Sequence, residues 1–125
     1  MKYAKGAANQ KEVLKMEVFV HHIYEFEKGL RNLVLHTTEK ENLKMIMNKL
    51  NNRKINYEIY EIEGNRINIF FGAKECVEVI RSIGKQSLRE YTFEEDFILG
   101  IMLGYDRRKQ CERYLSFKEK NARTA

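Results

Sequence analysis

Three histidines and two cysteines are the residues of this chain best suited by type to chemistry. His21 and His22 are adjacent, and His36 follows. With Cys76 or Cys111 they supply the donor types of a zinc site, and a Cys–His pair is the start of a nucleophilic mechanism. Spacing favours neither. Neighbouring residues on a helix point about 100° apart, so the histidine pair is poorly placed to share one ion. One histidine packed with its polar edge satisfied and one facing solvent is the favoured reading. The cysteines belong to no CxxC and have no local metal-ligand spacing. No GxSxG, HExxH or paired zinc motif occurs. Glu94-Glu95-Asp96 reads as the charged first turn of a helix rather than an acid/base pair. No catalytic residue, metal ligand or cofactor is therefore assigned, and the reading leans away from an enzyme.

Candidate binding residues remain. His22 and His36 are kept from the histidine set, and Arg31, just before an apolar run, is a separate exposed-cation candidate. Gly72 and Lys74 lie at a strand-to-helix turn, where free amides and a cation can receive an anion, although one glycine is far weaker than a phosphate loop and an ordinary turn is favoured. Tyr105 and Asp106 precede Arg107 and Arg108, a pair able to grip phosphate, while Asp106 is most simply a helix cap. Phe97, Gly100, Ile101 and Gly104 form a GxxxG spacing in a segment that is apolar almost all round. Two glycines a turn apart let another element approach closely, and a helix apolar on every side must be covered on every side. Two readings stay open: a homodimer interface or a central core helix.

These residues need elements to hold them. Met16, Phe19, Val20, Ile23, Phe26 and Leu30 have helical spacing, and Gly29 suits the left-handed residue past a helix end; Val18, Val20, Tyr24 and Phe26 share parity, so a strand over residues 17–28 stays open beside the favoured helix. Leu33-Val34-Leu35 reads as a strand buried on both faces. Thr38 to Glu41 fits a capping box opening a helix with Leu43, Ile46, Met47 and Leu50 on its stripe. Ile55–Ile62 and Arg66–Phe71 read as a hairpin around a two-residue Gly64-Asn65 loop. That register pairs Glu63 with Arg66, Ile62 with Ile67 and Tyr60 with Ile69, and groups Tyr60 and Ile62 with Ile67, Ile69 and Phe71. Ala73, Cys76, Val77, Ile80 and Ile83 mark a helix ended by Gly84. Thr92-Phe93-Glu94-Glu95 is a second capping box, opening Phe93–Leu103. A last helix carries Cys111, Tyr114, Leu115 and Lys118 and frays over 121–125. The sum is an α+β fold: a three-stranded sheet (one strand plus a β-hairpin) covered on one face, about five helices, and a C-terminal helical pair. The order β-α-β-β-α resembles part of a ferredoxin-like layer.

The length of 125 residues suits one domain, read here as residues 16–118 between a flexible basic N-terminus (1–15) and a flexible C-terminus (119–125). Of the formal charge of +5, the ends carry all the excess: residues 1–16 hold four Lys against one Glu, and residues 107–125 hold seven basic against two acidic groups. Such ends can hold nucleic acid, but no basic–aromatic groove motif accompanies them, and solubility explains them as well. Two isolated cysteines suit a reducing compartment, no apolar leader is read, and the longest apolar run is about half a membrane span. A cytoplasmic protein is expected.

Three blocks together resemble a known family. They are His21 to Thr37; Asn68-Ile69-Phe70-Phe71-Gly72 followed by Glu75-Cys76; and Glu94 to Asp106 followed by Gln110-Cys111 and Arg113-Tyr114. In this order they resemble a small bacterial family known as a domain of unknown function, number two-zero-two-three, over about residues 17–116. The resemblance implies three strands, about five helices and a homodimer, with no assigned activity, and it hints at a flavodoxin-type redox partner. The long basic ends depart from the relatives. The leading expectation is a non-enzymatic homodimeric binding or regulatory module. The alternatives are nucleic-acid binding through the basic termini, and a small enzyme using His22 or His36 with Cys76 or Asp106.

Overall fold

The structure, a computed structural model, describes residues 10–124. Five α-helices and three strands follow in the order α1 (Gln10–Glu27), β1 (Leu33–Glu39), α2 (Leu43–Asn52), β2 (Asn56–Ile62), β3 (Arg66–Gly72), α3 (Lys74–Ile83), α4 (Phe93–Met102) and α5 (Arg107–Thr124). Short 3₁₀ turns precede α2 and α4. The expected α+β architecture and C-terminal helical pair are present. Most of the basic N-terminus read as flexible lies outside the described residues; α1 already begins at Gln10, ahead of its apolar stripe. At the other end α5 runs to Thr124, past the point where fraying is expected.

The sheet is antiparallel in the order β1-β3-β2. β1 and β2, joined through α2, therefore run the same way with β3 between them, the split β-α-β arrangement. β3 is central because its sequence allows nothing else: Ile67 to Gly72 are all buried. Helices cover both faces of the sheet, not one. Phe19 and Ile23 of α1 and Ile46 and Leu50 of α2 close over Val34, Ile67, Ile69 and Phe71. Val77 and Ile80 of α3 and Leu99 and Leu103 of α4 close over Leu33 and Phe70. The run Leu33-Val34 is buried on both faces as read.

Two local readings are corrected. The hairpin loop has three residues, Glu63–Asn65, so Ile62 faces Arg66, Tyr60 faces Asn68 and Ile59 faces Ile69. A two-residue type II′ loop places only its first residue at positive φ. Here Gly64 (φ 75) and Asn65 (φ 56) are both left-handed, and Asn65 is held from outside, its carbonyl accepting from the Lys40 N–H and its amide donating to Glu41 at 2.6 Å. One residue of slip exchanges the faces of the strand. Tyr57 and Ile59 join the α1–α2 core, and Tyr60 packs on the opposite face against Phe70. Thr38, read as a helix cap, is instead a buried strand residue paired with Ile67, and its hydroxyl accepts from Asn42 at 2.9 Å. The capping box at Thr92 does form: its hydroxyl accepts from the Glu95 N–H, and Glu95 accepts from the Thr92 N–H.

Candidate functional site

Three of the residues singled out in the sequence meet at the β1 end of α1. His22 projects from α1 towards β1, where its ring lies 5.8 Å, edge-on, from that of His36. Arg31, in the turn that Gly29 (φ 78) allows, comes back to the same place. Its Nη1 stands 3.2 Å from His22 Nδ1 and 3.7 Å from Glu25 Oε1, and Glu25 Oε1 stands 3.2 Å from the same Nδ1. His36 is buried against Phe19; of the adjacent pair, His21 is exposed while His22 is half-buried with Glu25 and Arg31 at its Nδ1, so one is packed and the other faces solvent. Glu25, absent from the sequence reading, completes the cluster. The hydrogen bond from His22 holds its carboxyl below the ordinary carboxylate range against the upward pull of burial, with the Arg31 charge helping.

The other candidates lie apart. At Gly72 a Cβ would overlap the Asn32 carbonyl oxygen, which accepts from the Ala73 N–H at 2.8 Å. This glycine is there for close backbone approach at the mouth of β1. Lys74, next to it, is exposed at the first position of α3. Cys76 packs on the α3–α4 side of the sheet, opposite His36, and Cys111 is exposed on α5; both are free thiols. Burial, with the nearby Glu75, pushes the Cys76 thiol up. Tyr105 is exposed, and Asp106 caps α5 by accepting from the Lys109 N–H at 2.9 Å. The enzyme pairing of His22 or His36 with Cys76 or Asp106 is thus not assembled. Among the described residues no group of three or more His, Cys, Asp or Glu could hold a metal ion.

The α4–α5 pair forms the second notable surface. Gly100 is buried because α5 needs the space: a Cβ there would overlap the Gln110 side chain, whose amide reaches the Asp96 carbonyl at 3.3 Å. Gly104 (φ 84) turns the chain out of α4, with nothing close to it. Gly100 alone of the two glycines is therefore packed against, and by its own chain, and Leu99 and Leu103 seal onto the sheet. Around this seam Arg113 clamps Asp96 through two bonds of 2.9 and 3.2 Å, Tyr114 donates to Glu94 at 2.8 Å, and Phe93 stacks on Phe117 at 5.4 Å. The Tyr114 bond holds the Glu94 carboxyl low. The inner stripe of α5 is thus Gln110, Arg113, Tyr114 and Phe117, rotated from the one read in the sequence. Cys111 and Leu115 consequently face out. They join Phe97, Ile98 and Tyr114 in an apolar groove of about 510 Å³, where Ile98 is 41% and Leu115 63% exposed. Ile101, read with Phe97 as interface, is half-buried. A more polar hollow at the hairpin tip, lined by Arg66, Asn68, Arg89 and Glu90 among others, carries charges of both signs.

No helix among the described residues is long and apolar enough to cross a membrane. No curated protein matches the chain. The family model for the protein of unknown function DUF2023 matches residues 17–117, a stretch that takes in the histidine cluster, the whole sheet and the α4–α5 groove. The chain belongs to the DUF2023 family of proteins of unknown function.

Proposed function

We propose that the chain is a non-enzymatic, cytoplasmic binding module that works as a homodimer and captures a partner protein in the α4–α5 groove. The observation that carries this reading is the groove itself, an apolar trough between two helices with Ile98 and Leu115 open to solvent. A trough between two helices is the shape that takes an amphipathic helix. Its occupant follows from charge. On α5 the residues Arg108, Cys111, Leu115 and Lys118 fall three and four apart and share one face; Arg108 pairs with Glu112 at 3.3 Å and Lys118 with Glu94, at the groove's rim, at 3.4 Å, but α5 holds seven basic against two acidic residues, so the apolar centre lies beside an excess of cations. A second copy docking there would set like charges together, whereas a helix with acidic flanks and an apolar stripe complements both features.

A synthetic amphipathic helix with a leucine stripe and glutamate flanks tests the reading, with a lysine-flanked twin as control. Fluorescence anisotropy should show binding of the acidic peptide alone. Leu115→Glu and Ile98→Glu should each weaken it about tenfold or more, as loss of a central anchor does. Equal binding of both peptides, or indifference to both substitutions, overturns it.

A further inference from the structure

The hollow at the hairpin tip has a polar residue of the central strand in its floor. Asn68 interrupts the apolar run of β3 between Ile67 and Ile69 and is only 5% exposed. Side chains alternate along a strand, so Asn68 and Arg66 share the face of Phe70, on which α3 and α4 pack. Ile62, opposite Arg66 on β2, lies on that face too. Beside them runs the connector between α3 and α4. It is tied to β2 by Gln86, which donates to the Glu61 carbonyl at 2.8 Å, and it is turned by Ser87, whose hydroxyl accepts from the Arg89 N–H at 3.2 Å. Sheet face and connector together line a hollow of about 570 Å³, the size of a small-molecule site.

Asn68 brings an open donor to this hollow. Its Oδ1 accepts from the Thr37 hydroxyl on β1 at 2.6 Å. The two ends of an amide point apart, so Nδ2 is turned away from β1, towards the hollow that Asn68 lines. Among the described residues Nδ2 has no hydrogen-bond partner, and a buried amide donor is costly to leave unmatched. Four charged side chains of the same lining are also unpaired among the described residues: Arg66, Arg89, Glu63 and Glu90. Elsewhere on the surface opposite charges close into ion pairs, as Arg53 does with Glu27 and Arg81 with Glu58. Here two cations and two anions line one hollow without meeting. The carboxylate of Glu61 is not available to it, being taken by Lys40 at 2.9 Å. The lining also holds an apolar pair, Leu88 (41% exposed) and the half-buried Ile62.

We infer that the hollow binds an α-amino acid with an apolar side chain, in its zwitterionic form. The carboxylate takes the two arginines and the open Asn68 amide, the ammonium takes Glu63 and Glu90, and the side chain lies on Ile62 and Leu88. A simple anion would leave the two glutamates unmatched beside it, and a simple cation the two arginines and the amide. A ligand carrying both signs answers the whole set. The hollow shares no residue with the α4–α5 groove, so this site stands whether or not that groove takes a partner.

Titration of the nitrogen-labelled full chain with L-leucine and L-phenylalanine, followed by NMR, tests it. The expected result is a saturable shift of the Asn68 side-chain amide and of the backbone amides of residues 86–90. The C-terminal amide of each amino acid lacks the carboxylate and its N-acetyl form lacks the ammonium. Each blocked form should bind about tenfold or more weakly, the loss of one charge-assisted bond. Arg89→Gln, and Glu63→Gln with Glu90→Gln, change exposed side chains and leave the core and Asn68 in place. Each should weaken the parent amino acid by a like factor. No saturable shift with either amino acid at millimolar concentration overturns the inference. Blocked forms that bind as well as the parent also overturn it, by showing that the charges do not read the ligand. Binding undiminished in these variants, or shifts confined to other residues, overturns it by placing the contact elsewhere.

Discussion

His22 Nδ1 can carry a proton or offer a lone pair, never both at once, and the two groups 3.2 Å from it want opposite things. Arg31 is a pure donor and needs the lone pair; the Glu25 carboxylate is a pure acceptor and needs the proton. The tautomer with the proton on Nδ1 therefore bonds Glu25 and the one with the lone pair there bonds Arg31, and the Arg31–Glu25 ion pair at 3.7 Å joins the other two groups in either case. The consequence for stability has a definite sign. The Glu25 carboxyl is held low in the folded chain, chiefly by the His22 bond. Its contribution is present above the unfolded carboxyl value and is lost as pH falls through the lower folded one. Glu25→Gln keeps the shape and removes the charge. The variant should melt below the parent at neutral pH, and the gap should close as both are acidified through the carboxylate range. A gap that persists unchanged in acid would mean that the charge of Glu25 does not act there.

At the scale of elements, the approach of α5 to α4 depends on the missing side chain at Gly100. Gly100→Val puts a branched group where the Gln110 amide lies, so the helices must part or Gln110 must leave the Asp96 carbonyl. Overpacking of this kind costs about 1–3 kcal/mol. Adding Gln110→Ala should return part of that cost, with a coupling of roughly 0.5–3 kcal/mol in a denaturant double-mutant cycle; strict additivity would separate the two residues. How much of this was legible beforehand depends on which interaction sets each feature. The stripes of α2 and α3, the Thr92 capping box, the Asp106 cap and the Gly29 and Gly84 helix ends come from local chemistry, and each was readable along the chain. The hairpin register was not, because the loop is set by Lys40 and Glu41 from the 3₁₀ turn that follows β1. Thr38 carries a sound capping signal, but pairing with Ile67 outweighs it. The inner stripe of α5 is polar at Gln110 and Arg113, and only the neighbouring Asp96 and Gly100 explain why those groups face inward. The histidine cluster brings together residues named one by one in the sequence, but Glu25 became visible only with the fold.

For the molecule as a whole, the strand order sets an assembly problem that the composition makes easy to observe. β2 and β3 are neighbours through a three-residue loop, whereas β1 must reach β3 across all of α2 and the hairpin, pairing Leu33 with Gly72. Loop closure for that contact is the entropic hurdle, and non-local pairing of this kind slows folding. Proline is absent from the 125 residues, so isomerisation, which would add a phase of roughly 10–100 s at 25 °C, has no bond to act on. Refolding from denaturant should therefore show the same amplitudes whether the chain has been unfolded for a second or an hour, and a prolyl isomerase should change nothing. Two origins then remain for any slow phase, and protein concentration separates them. A phase that accelerates with concentration is the association of two chains. One that does not places the rate limit within the chain, and slowing of that phase by Thr38→Ala, which weakens β1 where it meets Ile67, would assign the limit to the docking of β1 on the hairpin.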